Sequence, residues 1–148
     1  MKLRPHHILD ILRDYGNGRI FTPHPYGHAL HIVAPKLLSH LDIAVELVLG
    51  ADDICQPCQH LQADDQCDDV LSQLEQPISK QMYNDKLDTR LFSYLELKPG
   101  VVLSMQAFLE RVRGKTPGIE KVCTHPQEDE RVRLDGITHG LEKLGIPA

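Results

Sequence analysis

The chain has 148 residues, 41% hydrophobic and 25% charged, with a formal net charge of −5, 5% aromatics and no tryptophan. That length suits one domain with a core of Leu, Ile and Val, and the lack of a basic block disfavours a dedicated nucleic-acid binder, which needs cations against phosphate. The most apolar stretch, residues 43–49, is too short to span a bilayer and contains Glu46, so no membrane segment is expected.

Pro5 suits the first position of a helix over residues 5–15, with Gly16 to close it. Ile8, Ile11, Leu12 and Tyr15 give this helix an apolar face, while His7, Asp10 and Asp14 share a polar stripe with His6 beside it. After the turn "GNGRIFTPHPYG" comes "HALHIVAPKLLSHL", read as a helix that Pro35 kinks or splits. "DIAVELVLG" alternates β-branched and apolar residues and reads as a strand. Helical pieces are expected over residues 69–75 and 79–97, broken at Pro77, with Asp68 or Asp69 as an N-cap. "KPGVVL" turns into a short strand. Ser104 can cap a helix with Met105, Phe108, Leu109 and Val112 on one stripe, ended by Gly114. A last helix over residues 127–144 places Leu134, Ile137, Leu141 and Leu144 together. With no linker in view, the expected fold is α+β: one mostly helical domain, residues 1–148, with a small two- or three-stranded sheet.

The chemistry gathers in "DDICQPCQHLQADDQCDD", residues 52–69. Cys55-x2-Cys58 lets two thiolates from one turn grip one ion or cluster, and Cys67 returns after eight residues. Cys123 can supply a fourth thiolate, and His60 and His125 are substitute ligands. No signal-like apolar run opens the chain, so a cytoplasmic protein with reduced cysteines is expected, where four cysteines suggest a metal more than disulfides. From residue 37 to 79 there is no Lys or Arg, against Asp42, Glu46, Asp52, Asp53, Asp64, Asp65, Asp68, Asp69 and Glu75. Such carboxylates raise a free thiol's pKa, which argues against a redox-active pair and for a bound cation. Spacing leaves an iron–sulfur cluster and zinc both open.

Two segments, "LRPHHILD" and "GADDICQPC", resemble the bacterial and archaeal domain of unknown function 1284 family. That family opens with Leu-Arg-x-His-His-Leu-Leu-Cys, continues to Gly-Pro-Asp-Asp-Ile-Cys and carries further cysteines towards its C-terminus. The matching positions are Leu3, Arg4, His6, His7, Asp52, Asp53, Ile54 and Cys55, with Cys67 and Cys123 as looser matches. The resemblance implies iron–sulfur binding and a place for His6, His7 and Asp10 beside the cysteine loop. Asp10 stands where the family has a cysteine, and the C-terminal cysteines are reduced to Cys123. Carboxylate ligation at Asp10 suits zinc or a hard cation better than a sulfide cluster.

Three functions are open. The first is a metalloprotein holding an iron–sulfur cluster on Cys55, Cys58, Cys67 and Cys123, for electron transfer, sensing or stability, with an unidentified protein or redox partner. The second is a zinc enzyme whose ion sits on His6, His7, Asp10 and nearby histidines and activates water. The third is an interaction module in which the four cysteines hold a structural zinc. His24, His28 and His31 read as surface or capping residues.

Overall fold

The computed structural model describes residues 1–72 and 77–147. It is mostly helical α+β, with elements in the order β1 (Lys2–Leu3), α1 (Pro5–Gly16), α2 (Leu30–Ser39), β2 (Ala44–Leu47), β3 (Val70–Leu71), β4 (Ile78–Ser79), α3 (Lys80–Tyr94), β5 (Val102–Ser104), α4 (Met105–Gly114), α5 (Ile119–Val122) and α6 (Glu130–Lys143). β2 is the middle strand of a three-stranded sheet, parallel to β1 and antiparallel to β5. β3 and β4 form a separate antiparallel pair.

α1 starts as its sequence dictates. Arg4 is extended at the N-cap and Pro5 occupies the first turn, where its missing N–H costs nothing. Ile8, Leu9, Ile11 and Leu12 are buried, and they meet Leu37, Leu91, Phe108 and Ile137 in one core. α6 covers α1 by close backbone contact. A methyl group on Gly16 would lie 1.7 Å from the Gly136 carbonyl oxygen, and one on Gly140 would lie 2.5 Å from the Leu12 carbonyl oxygen. Gly16 is therefore a crossing point more than a helix stop. Asn17 is the C-cap, its N–H donating to the Arg13 carbonyl at 3.0 Å.

The remaining elements follow local chemistry with some shifts. Pro35 sits on the exposed side of α2 without splitting it. Ser104 caps α4 by accepting from Ala107 N–H, and Ser79 caps α3 by accepting from Met82 N–H. The final helix begins at Glu130, where Asp129 accepts from Arg131 and Val132 N–H, and not at residue 127. The helix expected over residues 69–75 is corrected in part: Val70 and Leu71 are extended and pair with Ser79 and Ile78. Asp69 caps no helix there; its carboxylate accepts from Val70 N–H and faces Lys80. Residues 73–75 of that expected helix, Glu75 included, lie outside the described residues. Among the described residues, no helix is long and apolar enough to cross a membrane.

Candidate metal centre

The site begins where β1 runs into α1. The segment from Arg4 to His7 is held between two buried aspartates that come from distant parts of the chain. Asp52 Oδ2 accepts from Arg4 N–H at 2.8 Å and lies 2.7 Å from His7 Nδ1, while its Oδ1 accepts from Ile54 N–H at 3.1 Å and Cys55 N–H at 3.2 Å. On the other side, Asp88 Oδ1 accepts from His6 N–H at 2.9 Å. Asp88 Oδ2 lies 2.9 Å from both His6 Nδ1 and Arg4 Nη1.

These contacts fix the imidazoles. Burial opposes ionisation of Asp52, but the His7 ring and the Arg4 amide outweigh it and hold the carboxyl well below the usual range. An ionised carboxylate only accepts, so His7 carries a proton on Nδ1, and when the ring is neutral its lone pair is on Nε2. That carboxylate–histidine pair is the arrangement that commonly orients a metal-ligating imidazole. Burial pulls the His7 pKa down, but the charge and hydrogen bond of Asp52 prevail and raise it. Asp52 already accepts two hydrogen bonds on each oxygen, so its part is to position His7 and the Cys55 backbone.

The cysteine loop folds back against this segment. Cys58 N–H donates to the Cys55 carbonyl at 2.9 Å and closes the C-x2-C turn. Leu61 and Cys67 form an antiparallel bridge, and Cys67 N–H donates to Gln81 Oε1 at 2.8 Å. His60 Nδ1 lies 2.8 Å from Asp68 Oδ1. Cys55, Cys58, Cys67, His60 and His7 line one small cavity of about 90 Å³. Among the described residues, one group of three donors lies within 4.8 Å of one another: His7, Asp52 and Cys55. Burial, with Asp52 beside it, pushes the Cys55 thiol up to about 12.

Cys123, His125, His6 and Asp10 open instead onto a neighbouring cavity of about 500 Å³, and His7 stands in the walls of both. Cys123 is buried, and Arg133 Nη1 donates to its Sγ at 3.2 Å. Burial and then the Asp10 charge push this thiol up. Asp10 pairs with Arg133 at 3.0 Å and with Arg13 at 3.3 Å. The structure thus brings His7 to Cys55, and Cys58, Cys67 and His60 to the same cavity, whereas Cys123 and His125 line the neighbouring one. Of the remaining histidines, His24 Nδ1 accepts from Tyr26 N–H and His28 Nδ1 from Leu30 N–H, which are local backbone caps.

Sequence reasoning named no site role for Asp88 or Arg133; Arg4 entered it through the family motif alone, and Asp52 through that motif and the acidic run. Asp52 had a signal in its position just before Ile54 and Cys55. Asp88 had none, lying 82 residues from the histidine it orients.

Fold and site together define a small helical domain with histidine and cysteine donors gathered where its first helix meets an acidic loop. The chain belongs to the family described as protein of unknown function (DUF1284), which it matches over residues 25–128. The match includes the cysteine loop and Cys123 but not the Arg4–His7 segment. No curated protein and no solved structure matches the chain.

Proposed function

We propose that this chain is a metal-binding protein that uses one zinc-class ion to clamp its first helix to the cysteine loop. The observation that carries the reading is the meeting of His7 and Cys55, with His7 Nδ1 already committed to Asp52. His7 Nε2 and the Cys55 thiolate are the first two ligands, and Cys58 and Cys67, with His60 as the substitute, complete a shell from the same cavity. Three thiolates and one imidazole suit tetrahedral zinc. The ion supplies positive charge that draws protons off the thiols, and its binding free energy becomes folding free energy. A four-cysteine cluster is the weaker reading, because Cys123 lines the other cavity and its sulfur accepts from the Arg133 guanidinium. The donor set at His6 and Asp10 favours a catalytic ion less, since Asp10 is engaged by two arginines.

Metal analysis and absorption of protein purified without oxygen test this. The expected result is one zinc per chain, no sulfide-to-iron absorption, and a melting temperature that falls on chelation. Stoichiometric iron with acid-labile sulfide would replace zinc by a cluster. Protein that is metal-free and unchanged by added zinc refutes the clamp altogether.

A further inference from the structure

Arg133 carries a buried donor that the fold leaves unmet. It lines the cavity of about 500 Å³ and is 4% exposed. Its Nη1 donates to Cys123 Sγ, and its Nη2 serves both Asp10 Oδ1 and Glu128 Oε2. Among the described residues, its Nε–H has no partner. The two neighbouring carboxylates are already held elsewhere: Glu128 gives its other oxygen to Arg13 at 3.0 Å, and Asp10 Oδ1 is shared with Arg13 at 3.3 Å. A guanidinium N–H withdrawn from water costs free energy until an acceptor reaches it.

The charges around it decide what that acceptor is. Asp10 and Glu128 share the Arg133 and Arg13 charges between them, and elsewhere in the wall Lys80 faces Asp69 at 3.3 Å. An anion would give up hydration to meet a guanidinium already flanked by two carboxylates. A simple ammonium has no lone pair for Nε–H. An uncharged carbonyl oxygen supplies that lone pair at the smallest desolvation cost. Tyr26, Leu30, Ile54 and Leu87 also line the cavity and offer apolar surface to the rest of such a molecule, and the volume is that of a small-molecule site.

We infer that this cavity is a binding site for a small uncharged carbonyl compound, an amide or lactam, whose oxygen accepts from Arg133 Nε–H. The inference goes beyond the metal clamp and uses none of its ligands.

The test is nuclear magnetic resonance of the 15N-labelled full chain as purified, titrated with N,N-dimethylacetamide, isobutyrate and tetramethylammonium. The Arg133 Nε–H signal is assigned by its loss in Arg133→Lys, which keeps a positive charge facing Asp10 and Glu128. Dimethylacetamide, which has an acceptor and no donor, should move that signal saturably and bind about tenfold more tightly than either ion. In Arg133→Lys its affinity, read from backbone amides of the cavity wall, should fall by about tenfold, as for the loss of one hydrogen bond. Thr124→Trp, which fills the cavity and leaves the Arg133 pairs in place, should abolish the Nε–H response. Equal or tighter binding of isobutyrate or tetramethylammonium overturns the inference, as does unchanged affinity in Arg133→Lys. So does an Nε–H that no probe moves, or one bonded to Asp10 or Glu128 in the ligand-free chain. A failed clamp would show instead as missing zinc, with the Nε–H response in place.

Discussion

Replacing Asp52 with asparagine separates the orienting role of this carboxylate from ordinary packing. The side chain keeps its shape, and one oxygen can still accept from Ile54 and Cys55 N–H. The other oxygen becomes an amide NH2 facing Arg4 N–H, 2.8 Å away in the native protein, and His7 Nδ1 at 2.7 Å. Hydrogen bonds to a charged partner contribute about 1.5–3 kcal/mol each, and a stranded buried amide costs about 1–3 kcal/mol. With two such bonds lost or inverted and relaxation allowed for, Asp52→Asn should destabilise the fold by about 3–5 kcal/mol, a large share of the roughly 5–15 kcal/mol that holds a domain together. Its second effect is on the ring. The new NH2 drives His7 to accept on Nδ1, which moves the proton to Nε2 and removes the lone pair offered to the ion. Zinc affinity should fall by about 10–100-fold, as when other orienting partners of ligands are lost. Urea denaturation of the metal-free protein reads the first effect, and competition with a chromophoric chelator reads the second. A urea midpoint and a zinc affinity both equal to those of the native chain would refute the role given to Asp52.

Cys55→Ser should abolish stoichiometric zinc while Cys123→Ser leaves it in place, checked by metal analysis; equal loss from both would put Cys123 in the shell. Apparent zinc affinity should rise with pH, because His7 and Cys55 are both raised and must give up protons to the ion; isothermal titration in several buffers should find protons released on binding. Acid should weaken the fold through Asp52 and Asp88, whose folded pKa values are depressed: their stabilisation is complete above about pH 4 and disappears as pH falls through the folded values, a limb that Asp52→Asn should flatten in pH-dependent melting. Gly16→Ala should cost at least about 3 kcal/mol by forcing α1 and α6 apart, whereas Gly18→Ala, with open space around it and φ at +75°, should cost about 1 kcal/mol, both read from thermal melts.

How much of this was written locally differs from element to element. α1, α4 and β2 were legible because each has a local device: Pro5 at a helix start, Ser104 at a cap, alternating apolar residues in Ala44–Leu47. The β3–β4 pair was not, because two residues per strand are too few to show a period, and at Val70 and Leu71 pairing with Ser79 and Ile78 overrides local propensity. At the site, the cysteine turn could be read from spacing. The division of donors between two cavities could not, since it depends on Arg133 reaching Asp10 across 123 residues and holding Cys123 on that side.

The glycine crossing between α1 and α6 also sets an order of events during synthesis. α1 carries both histidines, yet its backbone fits directly against Gly136 and Gly140, near the other end of the described chain. At about 5–20 residues per second, a ribosome needs on the order of ten seconds to make the segment between them. Through that interval Leu12 and its neighbours lack their cover, and the nascent helix is a natural client for a chaperone that shields apolar surface. The cysteine loop emerges well before α6, so any early capture of an ion by the thiols precedes the final docking of the helix that bears His7.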